Sequence, residues 1–529
     1  MNSNFTWFTG GVPEGSYSVT AKATLGSVTV TSAAVTVIVD RTSPTVVSRS
    51  PAPDGIGGPG AVLQAVFSEP MLASSLTDAS VVLKVNDAVV GRSLALSVDG
   101  RTLTVTPSAA LPVPASVNVS FGSSSNSPTD LAGNVFVAPT TPWIWTNSIW
   151  SPIGARVDAL PLIDPRPSMA LGTDGQPFVA FAASADPTHP YGVANLYVRR
   201  FDGSSWQDVG ASLSAVTGPG VSGFDQSFVR CSAIAVDASN NPVVVWNERS
   251  ENQQTGYAYH ARRYNPTSAL WEPLGANGGK LPDLGGPCDS SSPLALKIDS
   301  LGRPVVAYSA INGLFVERFD GATWIGLGPN SGNLGPVSFG GFSFALDASD
   351  SPVLIYNQQD GPAVVKRFNS GSSLWEDVGP YAGKLSAVGF TLSTPKLVLD
   401  ASGNPLVAGR YAASASGLPD IAVFRFNGKD GWQQVGPRAA NYGVSAGEFS
   451  SVAFDQDGNP VLAYVGLSSD LYRLYVKRFN GSSWSGVGAS SGLVGLSAYT
   501  WLGLAVNAGK LTLAFQGHSS PSIFVIRYP

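Results

Sequence analysis

The pattern Trp-x-x-[Ile/Val/Leu]-Gly occurs seven times, beginning at Trp150, Trp206, Trp271, Trp324, Trp375, Trp432 and Trp484. Copies spaced about 50 to 65 residues apart mark a chain built from one repeated supersecondary unit. Six of these Trp follow a run that ends in Arg-aromatic: Arg200-Phe201, Arg263-Tyr264, Arg318-Phe319, Arg367-Phe368, Arg425-Phe426 and Arg478-Phe479. A seventh pair, Arg527-Tyr528, has no Trp after it. Beyond each Trp a variable stretch leads to an apolar run and then to Asp-x-x-x-x-Pro, at Asp237, Asp299, Asp347, Asp400 and Asp455. Gly172 stands at this Asp position in the first repeat, and Asn507 opens a shorter turn without Pro in the last. A second apolar run follows each turn, as in Pro304-Val-Val-Ala-Tyr308.

Each repeat therefore reads as four strands: A into the Asp turn, B from the Pro, C into Arg-aromatic and D from the Trp. Four-stranded units of this length are the sequence mark of a β-propeller. The fold class is all-β, with Ig-like β-sandwich segments followed by a seven-bladed propeller over 143–529. The phase of the repeat adds a sharper expectation. Trp150 opens a D strand with no A, B or C before it, and the last repeat lacks D. The strand near 148–154 is thus expected to complete the last blade and hide both sheet edges. The Trp could stack on sugars, but packing between blades is the commoner use of a repeated bulky residue. The Arg are likewise expected to pair with the turn Asp as part of the scaffold. The Asp turn itself is backbone chemistry, with Asp bonding its own main chain and Pro starting strand B.

Upstream of the repeats, residues 1–40 hold two alternating runs, Gly15–Thr24 and Ser32–Asp40. They read as the last strands of an Ig-like domain whose start lies outside this chain, with Tyr17 placed as a tyrosine-corner residue. Residues 41–142 hold five or more short strand-like runs at intervals near ten residues, as in a β-sandwich. Three local stretches strengthen this: Phe67-Ser-Glu-Pro-Met71, Asp99-Gly-Arg-Thr-Leu-Thr-Val-Thr-Pro107 and Asp130-Leu-Ala-Gly-Asn134. Together they resemble the Ig-like domain of bacterial S-layer and surface proteins, a resemblance that implies a spacer role on the cell surface. Glu69, Asp99 and Asp130 are oxygen ligands of the kind calcium takes, although turn and cap roles are the commoner use of such residues. No other cofactor is implied.

The stretches at 202–210 and 480–488, Asp-Gly-Ser-Ser-Trp-Gln-Asp-Val-Gly and Asn-Gly-Ser-Ser-Trp-Ser-Gly-Val-Gly, are similar to the repeat of bacterial seven-bladed lectins. That similarity implies sugar binding between blades, and it carries over no individual binding residue. The A–B and C–D turns are short and alike, whereas the B–C and D–A loops are long and differ in every repeat. Function on a repeat scaffold is expected in the variable loops. The candidate ligand-binding residues there are His189, Tyr191, Arg230, Glu248, Arg249, Tyr381, Arg410, Tyr411, Tyr442 and Trp501. The only cysteines, Cys231 and Cys288, enter adjacent blades and are candidates for a disulfide, with two buried thiols as the alternative.

Other function classes recede. A net charge of −5 with dispersed basic residues argues against a nucleic-acid partner. No apolar run reaches the roughly 18–20 residues of a membrane helix. The three His, at 189, 260 and 518, share no metal-motif spacing, no Gly-x-Ser-x-Gly elbow with a His partner stands out, and the sialidase-type Ser-x-Asp-x-Gly-x-x-Trp repeat is not present. The reading is a non-catalytic extracellular or cell-surface adhesion protein, bacterial, whose signal peptide lies outside this chain and whose propeller takes a glycan or surface protein. An extracellular polysaccharide-acting enzyme and a structural subunit of a surface assembly remain alternatives. Oligomeric state is not legible.

Overall fold

The computed structural model describes residues 10–528 apart from 54, 123, 159–161, 185–193, 214–228, 250–256, 286–293, 360, 386–391, 412–419, 429–430, 438–444, 469–470, 489–491, 495–497 and 518–521. It divides into two compact units, Met1–Ser148 and Ile149–Pro529. Regular structure among the described residues is almost all strand.

In the N-terminal unit Gly15–Val19 pairs with Val35–Val39, and Lys22–Leu25 with Val28–Thr31. The Tyr17 hydroxyl donates to the Pro13 carbonyl at 2.8 Å, the backbone tether expected of a corner tyrosine. Two sheets follow. One orders Arg92–Leu96, Thr102–Pro107, Leu63–Phe67 and Val46–Ser50; the other orders Ile56–Gly57, Trp143–Asn147, Ala115–Phe121, Val81–Val85 and Ala88–Val89. Alternate residues of both enter one core containing Leu63, Phe67, Leu83, Val105, Val119, Trp143 and Trp145. The sequence reading started the repeat segment at 143, and the structure moves that boundary. Trp143–Asn147 alternates buried and half-buried residues and pairs with Ala115–Phe121. Its two indoles belong to the sandwich core, not to the repeats.

The C-terminal unit is a succession of four-stranded antiparallel groups. Their A strands are Leu162–Leu171, Val229–Val236, Leu294–Ile298, Val337–Leu346, Ser393–Leu399, Ser445–Phe454 and Ala498–Asn507. Each A strand pairs with its B, B with C, and C with D. In the last group the fourth place is taken by Ser151–Pro152, which pairs with Ile523–Tyr528. The second and third groups are joined by an additional strand, Lys280–Gly285, that the sequence did not signal. B strands lie between neighbouring groups and are buried on both faces, so they read as unbroken apolar runs rather than alternations, as in Pro304–Ala310.

The repeated motif residues have one job each. Every D-strand Trp tilts against the aromatic of the Arg-aromatic pair, with centroids 5.3–5.5 Å apart, as in Phe319–Trp324. In the six from Trp206 to Trp484 the indole N–H donates to a backbone carbonyl of the preceding D segment, as Trp271 to Val209 at 3.0 Å, Trp324 to Leu274 at 2.9 Å and Trp375 to Leu327 at 2.8 Å. The Gly after that carbonyl is the seat of the next indole. Gly210 has φ +68°, and a Cβ there would lie 2.9 Å from Trp271 Nε1. The turn Asp accepts two backbone N–H groups, Asp299 from Leu301 and Arg303 at 3.1 and 2.8 Å. The repeated Arg bridges its own Asp turn and the following one. Arg318 Nε lies 3.4 Å from Asp299, while its Nη2 donates to the Asp350 carbonyl. In the first repeat Asp174 takes the role vacated at Gly172, accepting from Gln176 N–H at 3.0 Å and pairing with Arg200.

Candidate functional site

Of the loop residues singled out from sequence, His189, Tyr191 and Tyr442 lie outside the described residues, as does Cys288. Arg230 and Arg249 are described by backbone alone, on strands Val229–Val236 and Pro242–Arg249. Tyr381 is exposed in the connection after the fourth D strand, with φ +64°. Arg410 and Tyr411 are half-buried at the end of strand Pro405–Tyr411. Trp501 is also half-buried, packed against a cluster that includes Phe181, Ala183 and Val525. Cys231 is disulfide-bonded. The structure does not gather these residues into one described site.

Glu248 is the exception in its surroundings, being only 2% exposed. Strand alternation places Trp246 and Glu248 on one face of the second sheet, and pairing brings His260 opposite Trp246. The Trp246 indole N–H donates to Glu248 Oε2 at 2.9 Å. The His260 ring stacks on Trp246 at 5.5 Å and 29°, and the Arg262 guanidinium lies 5.9 Å from the indole centroid. Burial first, then the Lys280 and Arg262 charges, push the His260 imidazole down to about 4, so it is neutral at pH 7. A buried carboxylate, a neutral imidazole and a guanidinium thus surround one indole.

A cavity of the C-terminal unit lies on the opposite face, between the second and third repeats, with a volume of about 480 Å³. Its polar wall is Arg263, Glu272 and Arg303, and its apolar wall includes Leu301 and Phe319. Glu272 accepts from Asn265 Nδ2 at 2.7 Å. Arg303 Nε donates to Asp299 Oδ2 at 2.8 Å, which fixes the guanidinium plane and leaves its other N–H groups for a ligand. Leu301 is 72% exposed. The lining comes from short turns and strand ends, not from the long variable loops in which the sequence places the candidate residues. The signal was a departure within a short turn: the fifth repeat has Ser402 and Asn404 at the positions of Leu301 and Arg303.

In the N-terminal unit the carboxylates of Asp40, Glu69 and Asp130 come within 4.8 Å of one another. Asp99 stands apart in an exposed turn, accepting from Ser97 Oγ at 2.5 Å and Arg101 N–H at 3.1 Å. Asp130 acts as a cap, taking N–H groups of Ala132 and Asn134 at 2.8 Å each. Burial, followed by the Asp40 and Asp130 charges, holds the Glu69 carboxyl above its ordinary 4.5. A raised folded-state value means that ionisation penalises the fold. Stability then falls as pH rises through the interval between the unfolded and folded values, and the penalty is complete above it. Glu69→Gln is therefore expected to raise the thermal midpoint of this unit at pH 7 and to give no gain at pH 4. A loss at pH 7 would contradict this account.

Residues 40–147 match the family model described as a bacterial Ig-like domain, in agreement with the sandwich found there. No protein of curated function matches the chain in sequence. Among solved structures, polysaccharide lyase Uly1 is 10% identical, with 71% of this chain and 91% of that one covered and a TM-score of 0.39. A protein of unknown function from Dyadobacter fermentans is 11% identical, with coverage of 70% and 98% and a TM-score of 0.37. A variant of the Aleuria aurantia lectin, bound to a fucosylated sugar, is 15% identical, with coverage of 56% and 91% and a TM-score of 0.36.

Proposed function

We propose that the C-terminal unit is a closed seven-bladed propeller and that the chain is a non-catalytic glycan-binding protein of the bacterial exterior. Closure is supported by the order of the inner strands, each A strand adjoining the next and Ala498–Asn507 adjoining Leu162–Leu171. It is supported also by Arg527, whose Nη2 donates to the Gly175 carbonyl at 2.6 Å across nearly the whole unit. The half-cystine at Cys231 and the bacterial Ig-like segment favour a compartment outside the cytoplasm. With one other cysteine in the chain, we assign Cys288 as its partner.

The observation that carries the binding role is the cavity between the second and third repeats. An exposed aliphatic side chain beside two positioned guanidiniums and a carboxylate suits a sugar, whose C–H face is apolar and whose rim offers hydroxyls. The test is a glycan array on the full chain and on L301S/R303N, which gives this turn the residues of the fifth repeat. Asn at that position bonds the turn Asp elsewhere, Asn459 Nδ2 to Asp455 Oδ2 at 3.4 Å, so the scaffold is kept. Affinity is expected to fall at least tenfold while the thermal midpoint moves by no more than about 2 °C. Binding to no glycan, or equal binding by the variant, refutes this site. Buried Glu248 beside neutral His260 favours a second reading, a polysaccharide-acting enzyme, and release of oligosaccharide products by the full chain would replace the first.

A further inference from the structure

The residue four positions before each A–B turn is Ser, Ala or Gly in six repeats and Lys396 in the fifth. Two positions before the turn it is Ala in five repeats, Val398 in one and Lys297 in the third. The small residues of the first row have a local cause. They face the next inner strand at close range: Ser343 Oγ accepts from Leu397 N–H at 3.0 Å and Ser451 Oγ from Leu504 N–H at 3.2 Å. A lysine at such a place has no room between strands and must run inward.

Lys297 is exposed to solvent on an inner strand and Lys396 is half-buried, yet both ammonium groups are held below the usual lysine range. Burial alone does this to Lys297; burial and then the Lys297 charge do it to Lys396. Solvent access combined with enclosure by protein is the condition of a side chain in a narrow central channel. Neither ammonium has a hydrogen-bonding or carboxylate partner among the described residues. Two like charges that feel each other in a poorly solvated space repel, and an anion between them relieves both the repulsion and the desolvation.

We propose that the central channel is an anion-binding site in which Lys297 and Lys396 hold a sulfate or carboxylate group. The proposal rests on the ring arrangement but not on the cavity at Leu301. The two lysines belong to the third and fifth repeats, so the anion would also tie together blades that are not consecutive in the chain. A free oxyanion and the acid group of a charged sugar present the same oxygens, and the experiment separates them.

Thermal unfolding of the full chain is compared with that of K297M/K396M in chloride, in sulfate and with a glucuronic-acid disaccharide, all at one ionic strength. Methionine keeps the length and removes the charge, so the double variant is expected to melt higher than the wild type in chloride. The wild type should gain a saturable stabilisation from an anion that the variant lacks, and each single variant should need at least tenfold more anion. Sulfate also stabilises proteins by exclusion from their surface, but that gain is shared by all variants and does not saturate. Saturation by sulfate assigns a free oxyanion; saturation by the disaccharide alone assigns an acidic sugar. A variant that melts lower in chloride overturns the placement of the lysines and with it the ring. A higher midpoint with no saturable difference overturns the anion site and leaves the ring standing.

Discussion

Replacing Trp324 with alanine is expected to destabilise the C-terminal unit by about 3–5 kcal/mol. The indole is nearly buried, packs against Phe319 at 5.3 Å, and donates to the Leu274 carbonyl at 2.9 Å. Truncation removes that packing, opens a void between the second and third repeats, and leaves the Leu274 carbonyl without its donor. The void cannot close readily, because Gly275 offers no side chain to fill it and the strands on either side are held by their own ladders. Trp324→Phe separates the contributions: it keeps most of the ring and loses the N–H, for an expected cost of about 1–2 kcal/mol. Urea unfolding of the full chain, followed at the C-terminal unit, measures both. A cost for the alanine variant below about 1 kcal/mol would mean that the Trp decorates the seam and does not lock it.

That lock also explains what was legible in the sequence. Trp, Arg-aromatic and Asp-x-x-x-x-Pro were readable because each satisfies a need that recurs in every repeat, so the same residue type is selected at the same phase. The Gly of Trp-x-x-[Ile/Val/Leu]-Gly belongs with them: at Gly436 a Cβ would come 2.6 Å from Phe479 Cε2. The end of the sandwich at Trp143–Asn147 is not legible in the same way. Nothing local distinguishes an indole in a sandwich core from one in a blade seam; only the pairing of 143–147 with 115–119 does.

The candidate site was less legible for a different reason. The repeats diverge most in long loops that have no common register, so no position there stands out against a rule. The structure draws notice to small departures inside the best-ordered positions. Leu301 and Arg303 break a turn pattern, and Lys297 and Lys396 break two rows of small residues. Such exceptions are visible only after the repeats are aligned residue by residue and the structural reason for the rule is known. An alanine row has no evident meaning until neighbouring inner strands are seen to approach closely. Glu248 and His260 depend on strand pairing, since they stand twelve positions apart in the chain but only two register positions apart across the paired strands.

Trp150→Ala is expected to cost as much as Trp324→Ala, again about 3–5 kcal/mol, although Trp150 is the first motif residue of the unit. In an open array the end repeats have one neighbour, fray first, and contribute less than interior ones. In a ring there are no ends. Trp150 is fully buried and tilts against Tyr528 at 5.3 Å and 53°, the geometry of the interior pairs. Gly488 supplies its seat, with φ +88° and a Cβ position 3.5 Å from the indole nitrogen. The strand that follows it, Ser151–Pro152, is only two residues long, so its own ladder bonds cannot hold it without the indole. Arg527→Ala, which removes the bond to Gly175, should shift the same transition in the same direction by a smaller amount. Costs at Trp150 and Trp324 that agree within about 2 kcal/mol are the signature of closure, because additivity in repeat proteins makes like seams cost alike. If Trp150→Ala costs less than a third of Trp324→Ala, the first and last repeats part before the rest unfolds, and the closed ring must be given up.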